Sequence, residues 1–155
     1  MADETIVVRD AGRADVETLA AFNLAMAAET EAKALDLERL RAGVRGVFDV
    51  PGRGFYLVAE IGGQAAGCLM ITYEWSDWRN ADWWWIQSVY VAPAFRRRGV
   101  YRALHAHVER RARQAGIRGL RLYVERENHA AQNTYRTMGM SRAVYDMFEV
   151  EFGPA

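Results

Sequence analysis

The run Trp83–Val91, WWWIQSVYV, leaves this chain few ways to fold. Aromatic and β-branched side chains fit a pleated surface, so the run predicts a strand. Alternation puts Trp83, Trp85, Gln87, Val89 and Val91 on one side and Trp84, Ile86, Ser88 and Tyr90 on the other. Both sets contain large rings, so both faces need cover, and most of those rings are expected in the core. Pro93 stops the strand, and helical periodicity resumes at Gly99. From there to Gln114, Val100, Ala103, Leu104, Val108 and Ala112 form an apolar stripe.

The flanking sequence supplies the cover. Thr5–Arg9 predicts a short strand. Ala14–Ala32 predicts a helix with Asp15 as cap or first-turn acid. Leu35, Leu37, Leu40, Val44 and Val47 predict a second helix before Pro51, Gly52 and Gly54 break the chain. Phe55–Ile61 and Gln64–Tyr73 predict a hairpin across Gly62-Gly63, with Glu74–Asp82 as a polar loop. Leu120–Val124 predicts a strand, Asn128–Met138 a helix closed by Gly139, and Ala143–Phe152 a last strand. The order β-α-α-β-β-β-α-β-α-β implies an α/β chain with one sheet covered by helices.

Composition narrows the function. At 155 residues, with 51% hydrophobic and 26% charged, residues 1–155 suit one globular domain. No apolar run reaches the roughly 18 residues of a membrane span, so no membrane partner is expected. The start MADETIVVRD carries acid where a secretory signal carries base, which points to a cytoplasmic protein. Cys68 is alone in the apolar run QAAGCLMITY and reads as a buried structural thiol; no Cys/His spacing suits a metal. Lys33 is the only lysine, and the basic residues concentrate between Arg96 and Arg126. A nucleic-acid binder would need a continuous basic face, and zero net charge argues against one.

A local anion site is a different matter. The first N–H groups of a helix are unpaired and sit at its positive end, a ready phosphate site. Gly99 permits close approach, Arg96, Arg97 and Arg98 add charge, and successive turn amides can form a nest. The alternative is a solvated arginine cluster before an ordinary helix. Neither a G-x-x-x-x-G-K-[ST] loop nor a G-x-G-x-x-G dinucleotide fingerprint is present.

Here the sequence resembles the GNAT superfamily of acetyl-CoA-dependent N-acetyltransferases. Arg96-Arg97-Arg98-Gly99-Val100-Tyr101 is similar to the family pattern [Q/R]-x-x-G-x-[G/A] that holds the CoA diphosphate. Asn128, Ala131, Tyr135, Gly139 and Met140 match a second element, N-x-x-A-x-x-x-Y-x-x-x-G-[F-like]. Tyr101 departs from the small residue usual at the end of the first motif. Histone-type members carry a glutamate base on the fourth strand, and that position is Trp85, so any base must come from elsewhere.

The resemblance implies a central mixed, mostly antiparallel sheet with helices on both faces. It also implies an acetyl-CoA co-substrate and no metal. Backbone groups of Val89, Tyr90 and Val91 would pair with the pantetheine arm, and an N–H near Val89 or Tyr90 would hold the thioester oxygen. Asn128 would bond the same arm, or cap its helix, or both. Tyr135 would be the general acid, with a phenol of pKa about 10 facing a thiol of about 8.5, or else a core aromatic. Glu74 and then Glu29 are the candidate bases, although each also fits a surface acid. His105 and His107 read as structural, and His129 as a surface or cap residue. Trp75 and Trp78, beside Glu74, Asp77, Glu29 and Glu31, would suit a cationic amine acceptor, small molecule or peptide. A homodimer is one arrangement, since members often dimerise. The rival reading is a non-catalytic CoA-binding or interaction module on the same fold.

Overall fold

The computed structural model describes residues 4–31 and 34–153, and the chain falls into two compact units, Met1–Tyr123 and Val124–Ala155. The first unit contains β1 (Ile6–Asp10), α1 (Val16–Glu31), α2 (Leu37–Asp49), β2 (Gly54–Ile61), β3 (Gln64–Ser76), β4 (Ala81–Val91), α3 (Val100–Gln114) and β5 (Gly119–Arg121). Short 3-10 turns precede α1 and α3. The second unit contains α4 (His129–Thr137).

The strands form one sheet in the order β1-β2-β3-β4-β5. The first four are antiparallel and β5 runs parallel to β4, the mixed, mostly antiparallel arrangement expected. Gly62 and Gly63, with φ of +57° and +77°, make the tight turn between β2 and β3. Asp36 caps α2, its carboxylate accepting from the amides of Glu38 and Arg39.

Helices cover both faces. On one side Val100, Leu104, Val108 and Ala112 of α3 pack on Leu57, Ala59, Leu69, Ile71, Trp84 and Ile86. On the other, Val16, Leu19 and Ala20 of α1 and Val44 of α2 meet Tyr56, Val58, Cys68 and Tyr90. Fully burying a side chain such as Leu104 is worth about 1.5–3 kcal/mol, so these two layers hold the sheet in place.

Three expectations are corrected. Trp84 is the one buried tryptophan among those described; Trp83 and Trp85 are half-buried and face the side of Thr72 and Glu74. The loop Glu74–Asp82 shrinks to a tip at residues 77–80. Cross-strand pairing of Glu74 with Trp83, Trp75 with Asp82 and Ser76 with Ala81 carries the hairpin outward. The strand expected at Ala143–Phe152 does not form among the described residues, and Val144, Phe148 and Phe152 are each more than 90% exposed. The physical reason is that a strand needs a neighbour's ladder as well as suitable side chains. Here Asp146, Glu149 and Glu151 are interspersed with Met147 and Phe148, so neither face reads as cleanly apolar.

Candidate active site

The site starts from a bulge. Between β3 and β4, Cys68 pairs with Tyr90 but Met70 pairs with Gln87, so β4 holds one extra residue. Ser88 takes a left-handed φ of +50° there. The Cys68 thiol donates to the Ser88 carbonyl at 3.6 Å, and burial pushes that thiol up to about 12, which fits the structural role expected of it. Gly67 lies against the same strand: a Cβ there would stand 2.6 Å from the Tyr90 carbonyl oxygen and 3.0 Å from Val100. Strand periodicity alone does not reveal this bulge. Its signal was a lone serine inside an otherwise aromatic and β-branched run.

On its other side β4 meets β5 only at Trp83, Trp84 and Trp85. From Ile86 to Val91 that edge has no ladder partner among the described residues. Val89, Tyr90 and Val91 therefore lie on an open strand edge, which an extended, amide-bearing chain can join by backbone pairing.

The strand leads into the turn. Arg97 has φ of +61° and Gly99 of +83°, and Gly99 is the residue that opens α3. Among the described residues the amides of Arg97, Arg98 and Gly99 donate to no protein acceptor, and the first bond closing α3 is Ala103 N–H to Gly99 O at 3.0 Å. Alternating left-handed residues ahead of a helix N-terminus make a concave set of donors for an anion. This chain thus fits the diphosphate that the motif implies.

The three arginines differ. Arg98 pairs with Glu4 and lies over the Phe95 ring at 5.5 Å. Arg97 makes no ion pair among the described residues. Arg96 turns back: its Nε donates to the Val91 carbonyl at 3.0 Å, and its Nη2 meets Glu29 Oε2 at 2.7 Å. Tyr101 joins its hydroxyl to His105 Nδ1 at 3.1 Å, one turn along α3. His105 is buried, and burial lowers its pKa despite Glu109 nearby.

Both candidate bases are engaged. Glu29 on α1 accepts from Arg96 and, at 2.9 Å, from the Tyr90 hydroxyl; the Arg96 bond first and the Tyr90 bond second hold its carboxyl below the usual range. Glu74 on β3 accepts from Trp85 Nε1 at 2.8 Å and from Arg121 Nη1 at 3.0 and 3.1 Å. The Arg121 guanidinium in turn lies 3.7 Å over the Trp83 ring. Trp75 and Trp78 are 63% and 92% exposed, with Trp78 at the hairpin tip beside Asp77. The side chain of Glu31 and the whole of Lys33 lie outside the described residues.

In the second unit, Asn128 caps α4, its Oδ1 accepting from Ala131 N–H at 3.1 Å. Tyr135 lies on the same helix, and burial raises its phenol above the ordinary value. His129 is exposed beside Glu127. Among the described residues no group of three or more His, Cys, Asp or Glu could hold a metal ion, and no helix is long and apolar enough to cross a membrane.

A mixed sheet with helices on both faces, a bulged fourth strand and a glycine-opened helix defines the α/β class of this chain. The acetyltransferase (GNAT) family profile matches residues 22–140, and the chain belongs to that family of acyltransferases. A possible acetyltransferase from Clostridium difficile 630 is 39% identical, with TM-score 0.90 over 97% of this chain and 100% of that one. A ribosomal-protein-alanine N-acetyltransferase from Brucella melitensis biovar Abortus 2308 shares the fold at 17% identity and TM-score 0.77, covering 96% and 100% of the two chains. So does a predicted acetyltransferase with acetyl-CoA from Clostridium acetobutylicum, at 14% identity and TM-score 0.76 over 95% and 96%. No curated protein gives a match.

Proposed function

We propose that this enzyme, acting in the cytoplasm, moves the acetyl group of acetyl-CoA to a primary amine of a small molecule or peptide by direct attack on the thioester. The observation that carries this is the pair of left-handed residues, Arg97 and Gly99, which aim unsatisfied amides ahead of α3 beside the open edge of β4. The turn takes the diphosphate, and Val89, Tyr90 and Val91 take the pantetheine arm. A β4 amide at the bulge holds the thioester oxygen as charge develops on it. Asn128 keeps its side-chain amide N–H₂ for the same arm while its Oδ1 caps α4.

The amine nitrogen bonds to the carbonyl carbon as the C–S bond breaks, and the departing thiolate takes the proton of Tyr135. Burial keeps that phenol protonated at neutral pH. The proton lost by the nitrogen leaves through water beside Glu74, the carboxylate on the α1 face of the hairpin. Arg121 and the Trp85 indole hold the Glu74 carboxylate in one orientation, so a water relay suits it better than direct abstraction. Aromatic Trp75 and Trp78 near Asp77 supply a surface for a cationic group.

The test is thiol release from acetyl-CoA across polyamines, amino acids and peptide N-termini, with neutral alcohols as controls. Turnover with at least one amine class supports the assignment. No turnover with any amine, in protein that binds CoA, favours the non-catalytic CoA-binding module.

A further inference from the structure

Arg96 and Glu29 each fit another role by sequence, one as a diphosphate contact and the other as a base. The geometry joins them to each other instead. Arg96 makes three contacts at once: Nε to the carbonyl of Val91, Nη2 to Glu29, and its guanidinium carbon 5.7 Å over the Tyr90 ring. Glu29 completes the circuit by accepting from the Tyr90 hydroxyl. One carboxylate on α1 thus ties down the last two residues of β4 and the first residue of the phosphate turn.

We infer that Glu29 and Arg96 are positioning residues, a brace that sets the angle between the open edge of β4 and the amide turn before α3. The inference rests on the proposed binding of acetyl-CoA at these two elements. The pantetheine arm and the diphosphate belong to one molecule, so strand and turn must hold a fixed spacing to grip both. Pro93 and the short 3-10 turn at Pro93–Phe95 supply the bend, and Arg96 is the first residue beyond it with a side chain reaching back to β4. The side chains of Arg96 and Glu29 are 46% and 40% exposed, so the pair adds little to global stability. What it contributes is alignment. The Nε–H and one Nη2–H of Arg96 are committed to Val91 and Glu29, which fixes the guanidinium against β4 and α1. A carboxylate holding two donors is also a poor proton acceptor.

A charge-swap cycle tests the brace, with CoA as the calorimetric probe, so that no acceptor need be known. Arg96→Glu and Glu29→Arg should each weaken CoA binding at least tenfold, and the double variant should return to within about threefold of the parent. The milder Arg96→Lys and Glu29→Gln, which keep the fold safe, should each weaken it about three- to tenfold. Glu29→Gln should also leave the acidic limb of the kcat/KM profile in place. A tighter grip in Glu29→Arg would overturn the brace, because it means that Arg96 binds phosphate and Glu29 merely competes. A double variant as weak as the singles, in protein that melts normally, overturns it too. Absence of CoA binding by the parent sinks the functional reading instead. The brace would then be judged by backbone amide resonances of Val91 and Arg97, which should move in each single charge-swap variant and return in the double; resonances that neither single moves reject it.

Discussion

At the residue scale, small groups decide whether the strand and turn can be where they are. Gly67 has no room for a methyl, because the Tyr90 carbonyl occupies the place where a Cβ would go. Gly67→Ala should therefore cost about 1–3 kcal/mol in urea unfolding, as overpacking does. It should also raise the KM for acetyl-CoA, since the strand displaced is the one proposed to hold the pantetheine arm. Unchanged stability would show that β4 yields freely there. Tyr135 makes a different demand, because as the proposed general acid its phenol can act only while protonated. Tyr135→Phe should lower kcat about 10²–10⁴-fold and leave CoA affinity within a factor of three. A kcat within threefold of the parent would remove it as the acid.

At the element scale, two junctions matter: the entrance to α3 and the entrance to α1. A β-branched residue at Gly99 must adopt φ of +83°, which bulky side chains avoid. Gly99→Val should thus weaken CoA binding at least tenfold, while Gly99→Asn, which tolerates the left-handed region, should lose less. Equal losses would mean that backbone conformation is not what the glycine supplies. Before α1, the Asp15 carboxylate accepts both ends of the Arg9 guanidinium at 2.8 and 2.9 Å and the amide of Gly12 at 2.8 Å. The Arg9 bonds first, against the cost of burial, lower its pKa. A depressed carboxylate stabilises the fold above its unfolded value of about 3.9, and that contribution fades as pH falls through the folded value. Asp15→Asn should accordingly lower Tm at pH 7, with the gap to the parent closing below about pH 4. A gap independent of pH would place the effect elsewhere.

At the scale of the whole molecule, zero net charge means that attraction for an anionic carrier must be local. Much of the architecture was legible from periodicity, because Val100, Leu104 and Val108 on one side and Trp84, Ile86 and Leu69 on the other form matched apolar surfaces. The entrance to α3 was legible too, since Gly99 between three arginines and a helical stripe marks where the helix begins. What could not be read was anything set by pairing across the chain. The bulge at Ser88 depends on how β3 aligns with β4. The fate of Ala143–Phe152 depends on a neighbouring edge, and the engagement of Glu29 and Glu74 depends on arginines 67 and 47 residues away. Charge type is visible in a sequence, whereas the partner that neutralises it belongs to the fold.

The most direct test of the central assignment is a titration of isotopically labelled protein with CoA, followed through backbone amide resonances. The amides of Arg97, Arg98, Gly99 and Val100 should move most, saturably and together with those of Val89 to Val91. Saturable shifts confined to other parts of the chain, or no shifts at all in folded protein, would contradict the account.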